Sequence, residues 1–126
     1  MLISEQEILE LKNFIFELNS TKDNSVIVVE GKRDSMALKR LGYTGKILEF
    51  HRFGGMVDFT DSVEKYERLI VLFDRDKKGR TLTEKTIRLL QRRTKIDLSF
   101  KRKLQEITGG KIMFVEQLVC YEPFLS

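Results

Sequence analysis

The sequence predicts an α/β fold: a mainly parallel sheet of about four strands with helices on both faces, and one further helix at the N-terminus. Two observations lead there. Four short aliphatic runs, at residues 26–29, 46–50, 69–73 and 112–115, have strand-like composition. Segments of helical periodicity lie between them, and parallel neighbours need crossover connections that are usually helical.

Each element has a local reason. At residues 4–18, Ile8, Leu11, Ile15 and Leu18 recur near helical spacing, and Ser4 with Glu7 forms a capping box. The polar stretch 19–24 ends that helix. After the first aliphatic run, residues 34–41 place Ala37, Leu38 and Leu41 on one face, and Gly42 supplies a glycine cap. Residues 58–66 read as a short helix. Thr81 with Glu84 reads as a second capping box, opening a helix to about Arg93 with Leu82, Thr86, Leu89 and Leu90 facing inward. Asp97 then caps a helix whose inner face carries Phe100, Leu104 and Ile107, and Gly109-Gly110 closes it. The tail QLVCYEPFLS reads either as a helical turn or as an edge segment, since Pro123 argues against a central strand.

At 126 residues the chain has one domain's worth of sequence, with residues 1–24 as a helix and linker packed on a domain at 25–126. A hydrophobic content of 41% with 33% charged residues is that of a soluble globular protein. No apolar run approaches the ~20 residues that span a bilayer, and MLISEQEILE lacks the basic flank and apolar core of a signal peptide. A cytoplasmic protein without a membrane partner is therefore expected. Cys120 is the only cysteine and His51 the only histidine, which excludes an intrachain disulfide and thiolate-rich or multi-histidine metal sites. A metal would have to be held by oxygen, which suits magnesium, manganese or calcium.

The net charge of +4 is unevenly distributed: residues 75–103 hold 12 Lys/Arg against three acids, while the first 24 hold two Lys against five acids. Such a block is either the footprint of a polyanion site or a solvated helix face.

Chemistry gathers at strand ends. VIVVEGKRD delivers Glu30, Gly31 and Lys32 from the first aliphatic run, and LIVLF runs into DRDKKGR, delivering Asp74 and Asp76. In open parallel sheets, ligands bind outside the carboxyl ends of the strands where connections diverge to opposite faces. Three carboxylates meeting there would repel by roughly 3 kcal/mol per pair, at about 5 Å and an effective dielectric near 20. A magnesium ion would relieve that repulsion, and it typically uses one or two carboxylates, waters and substrate phosphate oxygens. Glu30 alone would read as a cap or turn residue, and acids also end strands in phosphatase-like and receiver-like folds. The pairing of the two motifs is more selective than either.

Glu30-Gly31-Lys32 followed, one βα unit later, by Asp74-Arg75-Asp76-Lys77-Lys78-Gly79 resembles the two signatures of the TOPRIM domain. That domain is shared by topoisomerases, DnaG-type primases, OLD-family nucleases, RecR proteins and ribonuclease M5. The resemblance covers about residues 25–116 and is greatest to the small stand-alone prokaryotic members. It implies a Rossmann-like TOPRIM fold, with Glu30 as general acid or base and Asp74 and Asp76 as magnesium ligands, all three forming the catalytic and metal set. It also places Gly31 and Gly79 as motif glycines and Lys32 as a phosphate contact. The loop HRFGGM is expected to open on the same edge, which makes Arg52 a candidate phosphate or nucleic-acid contact, and Lys77, Lys78 and Arg80, within or beside the second motif, are expected as further ones. His51 reads as a surface loop residue, and Gly54-Gly55 as either an anion nest or a flexible loop.

The expected function is magnesium-dependent (or manganese-dependent) chemistry on nucleic-acid phosphodiesters, most simply a nuclease or the catalytic module of a nucleic-acid-processing complex. The alternative is a non-catalytic nucleic-acid-binding or adaptor module in DNA repair, replication or RNA processing. Tyr43, Tyr66 and Tyr121 carry no signature of a topoisomerase nucleophile.

Overall fold

The computed structural model describes residues 2–125. Four strands, β1 (Ser25–Val29), β2 (Ile47–Glu49), β3 (Arg68–Val71) and β4 (Lys95–Asp97), form one all-parallel sheet in the order β2-β1-β3-β4. Six α-helices accompany it: α1 (Glu5–Ser20), α2 (Lys32–Arg40), α3 (Met56–Val63), α4 (Lys77–Leu90), α5 (Ser99–Ile107) and α6 (Glu122–Leu125). The α/β class expected from the sequence is the one observed.

Strand β1 is buried along its whole length, and its alternating side chains divide between two cores. Val26 and Val28 join Leu69, Val71 and Phe73 against Phe59 and Val63 of α3 and Leu90 of α4. Ile27 and Val29 join Ile70 and Leu72 on the opposite face, under α1, α2 and α5, where Leu11, Phe14, Leu38, Phe100 and Leu104 pack. The β1–β2 connection thus crosses one face and the β2–β3 and β3–β4 connections cross the other. The chain direction diverges between β1 and β3, which pair from Ser25 opposite Arg68 to Val28 opposite Val71. This is the topological position where α/β sheets hold ligands.

Local capping follows the sequence at several points. Ser4 Oγ accepts the Glu7 N–H at 3.1 Å at the start of α1. Helix α2 ends in Gly42 at φ +110°, which lets the Tyr43 N–H reach the Leu38 carbonyl. Asp97 accepts both the backbone N–H and the hydroxyl of Ser99 as α5 begins.

Other expectations are corrected. Residues 112–115 are not a strand; the fourth strand is Lys95–Asp97, a short edge strand against β3. Ile112 and Val115 are buried, but they insert into the α1/α2/α5 core from an irregular segment that leads into 3-10 turns at Val115–Tyr121. Helix α4 starts at Lys77 rather than Thr81, because Asp76 accepts the Gly79 N–H at 2.8 Å and caps it one turn earlier. It ends at Leu90 instead of running to Arg93, and Leu89 faces outward. The tail takes the helical alternative, with Pro123 near the start of α6. Among the described residues no helix is long and apolar enough to cross a membrane.

Phe59 is fully buried and meets the rings of Phe50 and Phe53 edge-on at 5.4 and 5.3 Å. Phe59→Ala is expected to lower the unfolding free energy by about 3–5 kcal/mol in urea titrations. Phe16→Ser, at a position 76% exposed, is expected to change it by no more than about 0.5 kcal/mol.

Candidate functional site

The tips of β1 and β3 are joined by a side chain. Glu30 follows β1, and its Oε2 accepts the backbone N–H of Asp74 at 2.8 Å. Asp74, only 8% exposed, in turn accepts the Val115 N–H on Oδ1 at 2.8 Å. The Asp76 charge reaches Asp74, while Asp76 Oδ1 is occupied by the Gly79 N–H at the start of α4. Each of the three carboxylates therefore has one oxygen fixed by a backbone donor. The side chains of Glu30 and Asp74 also lie within hydrogen-bonding reach of each other, so these two carboxyl groups can share a proton.

Asp34 completes the acidic group, and sequence reasoning did not assign it to the site. Its Oδ2 accepts the Gly31 N–H and its Oδ1 the Glu116 N–H, both at 3.1 Å, so one buried carboxylate ties the loop after β1 to the chain after residue 112. The signal available in the sequence was its position three residues after Gly31, where an acid can reach back to the start of a helix. Burial, followed by the charge of Asp74, pushes Asp34 up to about 6. Burial also dominates at Asp74, and the neighbouring Glu30 and Asp76 add to it; despite the Val115 N–H, the group rises to about 7.

The two motif glycines differ in role. A Cβ on Gly79 would overlap the backbone carbonyl of Asp74, so glycine is what lets the first turn of α4 rest directly on the site. Gly31 is extended, and nothing lies within 4 Å of the equivalent position, so contacts within the chain do not require glycine there.

The remaining expected contacts scatter around this edge. Lys32, Lys77, Lys78 and Arg80 are exposed. The loop after β2 touches the site through the His51 N–H, which donates to the Glu30 carbonyl at 3.1 Å. Arg52 is held by Glu49, its Nε lying 2.9 Å from Oε1, and His51 Nε2 shares that oxygen at 3.0 Å. Burial would raise Glu49, but hydrogen bonds from Ser35, His51 and Arg52 outweigh it and hold the carboxyl at about 2. At Gly54-Gly55, the Gly54 N–H is taken by Asp58 Oδ2 at 2.8 Å, so an internal carboxylate occupies that donor.

Lys101, on α5, is a near neighbour that the sequence reading passed over. Burial lowers its ammonium, against the opposing charges of Asp74 and Glu30, while Arg75 and Arg80 lower it further. Nothing local marks it out from the solubilising lysines around it, because α5 is brought to this edge only by tertiary packing.

The donor chemistry is all oxygen and anionic, which suits magnesium or manganese. Among the described residues, no group of three or more His, Cys, Asp or Glu side chains is arranged to hold an ion by itself. Glu30, Asp74 and Asp76 are the side chains at this edge that could each contribute a ligand to a largely hydrated cation.

Fold and site together define an α/β protein with a cluster of carboxylates at its topological switch point. No family model matches the chain. It is 32% identical over 96 residues to a UPF0292 protein of Thermococcus sibiricus, spanning 75% of both chains. It is 34% identical over 93 residues to one from Pyrococcus furiosus, spanning 74% of this chain and 70% of that one. Against one from Methanosarcina acetivorans it is 33% identical over 119 residues, 93% of this chain and 78% of the relative. The chain belongs to the UPF0292 family. A solved structure of a protein from Aquifex aeolicus shares the fold with a TM-score of 0.71 at 29% identity, over 85% of this chain and 96% of that chain.

Two outcomes test this geometry. Gly79→Ala is expected to destabilise by about 1–3 kcal/mol through the displaced Asp74 backbone, measured by denaturant unfolding. The second concerns pH, in buffer containing chelator. Between an unfolded-state value near 3.8 and about 7, Asp74 binds more protons in the folded chain than in the unfolded one, so stability falls as pH rises through that window. Asp74→Asn is expected to flatten this decline and to be the more stable protein at pH 8, as read from melting temperatures between pH 4 and 8.

Proposed function

We propose that the protein carries out magnesium-dependent chemistry on nucleic-acid phosphodiesters, as a nuclease or as the catalytic module of a nucleic-acid-processing complex. The observation that carries this reading is the contact of Glu30 with the Asp74 backbone at the switch point. It makes the acids of two motifs, 44 positions apart, parts of one edge. The motifs on that edge are those that resemble the TOPRIM signatures, and the basic residues Lys77, Lys78 and Arg80 follow directly from the second of them.

Asp74 and Asp76 would hold magnesium, which when bound would supply polarisation of a phosphoryl oxygen and stabilisation of the charge that develops as the ester bond breaks. Glu30 holds the Asp74 backbone with Oε2 and, beside the Asp74 carboxyl, is the group placed to accept a proton from an attacking water. Lys32, at the start of α2, and Lys77 and Lys78, at the start of α4, stand exposed on either side and position the phosphate backbone as point charges. A site in the cytoplasm, where free magnesium and nucleic acid coexist, accords with this chemistry.

A second reading rests on the exposed cations Lys32, Lys77, Lys78 and Arg80 around this edge, which suit phosphate contacts whether or not a metal is held. The same edge would then bind nucleic acid as an adaptor without turnover.

Defined single-stranded, duplex and structured DNA and RNA, incubated with magnesium or manganese, separate the two. Product is expected with at least one substrate, and Glu30→Gln and Asp74→Asn are each expected to reduce the rate by at least about 100-fold while the circular dichroism spectrum is unchanged. Binding without product across the panel selects the adaptor, and full activity in either variant removes that residue from the mechanism.

A further inference from the structure

Beside the carboxylate edge lies a basic hollow of about 200 Å³, lined by Arg75, Arg80, Lys101 and Gln105. Most of its lining comes from residues outside the expected contact set. Within residues 75–103, Arg93 pairs with Glu64 at 3.1 Å and Lys103 with Glu17 at 2.6 Å. Among the described residues, Arg75, Arg80 and Lys101 have no carboxylate within ion-pair distance. Arg75 is fixed in another way, since its Nη1 donates to the carbonyls of Gly110 and Ile112 at 3.1 Å each. Those bonds hold the guanidinium in place without neutralising it. Three unneutralised cations and an amide on one wall form a receptor for concentrated negative charge.

The shape restricts what that charge can be. Behind the basic wall, and sharing Arg75, Lys101 and Gln105 with it, an apolar pocket floored by Leu104 and Ile112 has room for only about 20 Å³. That is about the space of one water, so the hollow has no deep extension on that side. A phosphodiester carries one charge and continues on both sides. A phosphomonoester stops, carries between one and two charges near neutral pH and offers three strong acceptor oxygens. Arg75 stands between Asp74 and Asp76 in the chain and lines the hollow, so a phosphate seated here is beside the acidic motif.

We infer that the Arg75–Arg80–Lys101–Gln105 hollow is a subsite for the terminal phosphate of a nucleic-acid strand, which makes the protein a reader of strand ends. This inference rests on the nucleic-acid reading above, but it concerns binding and needs no turnover.

The test is equilibrium binding, in EDTA, of one oligonucleotide prepared with a 5′-phosphate, a 3′-phosphate or neither, with the fluorophore always at the opposite end. The wild type is expected to bind one phosphorylated form about tenfold more tightly than the unphosphorylated form. Lys101→Met is expected to abolish that preference while leaving affinity for the unphosphorylated strand within about twofold. Arg80→Ala, at an exposed position, is expected to weaken the preference without any risk to folding. A parallel titration of inorganic phosphate, followed by amide chemical shifts, is expected to move Lys101 and Gln105. Equal wild-type affinity for all three strands, or a preference that survives both substitutions, overturns the subsite as a reader of ends. If no oligonucleotide binds while inorganic phosphate still moves Lys101 and Gln105, the phosphate pocket stands and the nucleic-acid reading falls. If phosphate moves neither residue, the pocket falls as well.

Discussion

The 2.8 Å hydrogen bond from the Asp74 N–H to Glu30 Oε2 joins the tips of two neighbouring parallel strands, and most of the functional edge is arranged around it. An acid leaving a buried strand ordinarily turns towards water. Here its carboxylate instead satisfies a backbone donor on the next strand, and that strand's own acid reaches on to the Val115 N–H. The result is a chain of contacts from β1 through β3 to the segment after residue 112. Asp34 closes it into a loop by accepting from Gly31 and Glu116. Charged-to-neutral hydrogen bonds of this kind are each stronger than neutral ones, and together they keep several carboxylates close despite their repulsion.

Electrostatics divides the edge into two compartments. The acids occupy the β1 and β3 tips, and the unpaired cations Arg75, Arg80 and Lys101 stand beside them on the α5 side. A divalent cation in the first and a phosphate in the second would each relieve local repulsion, and each would strengthen the other's binding. The Arg75–Asp76 neighbourhood lies at the boundary, with Arg75 fixed by backbone carbonyls and Asp76 by the helix it caps. Basic residues further along α4 and α5 find acidic partners or solvent, so most of the local excess of positive charge belongs to the surface rather than to the site.

Much of this was legible in the sequence. The runs ending in Glu30 and Asp74 are strands because they are aliphatic and β-branched, and both acids lie at the shared edge that the alternation of elements implies. The failures are equally physical. Residues 112–115 carry strand-like composition, yet they fill the core from an irregular segment, and Lys95–Asp97 is a strand despite its polarity because an edge position tolerates lysine and aspartate. Thr81 and Glu84 have capping-box spacing, but Asp76 captures the Gly79 N–H first and starts the helix a turn earlier. Asp34 and Lys101 are not marked by any local pattern, because what defines them is the Asp34 hydrogen bond to the Glu116 N–H and the packing that brings Lys101 beside Arg75.

The account stands most directly on where a divalent cation binds. Manganese titrated into isotopically labelled protein broadens the amide resonances nearest the ion, and it reports binding whether or not any substrate is turned over. The account predicts broadening that begins at Gly31, Asp74 and the residues up to Gly79, spreads to Val115 and Glu116, and is lost in an Asp74→Asn, Asp76→Asn double variant that remains folded. Broadening centred elsewhere, or unchanged in the double variant, would contradict it.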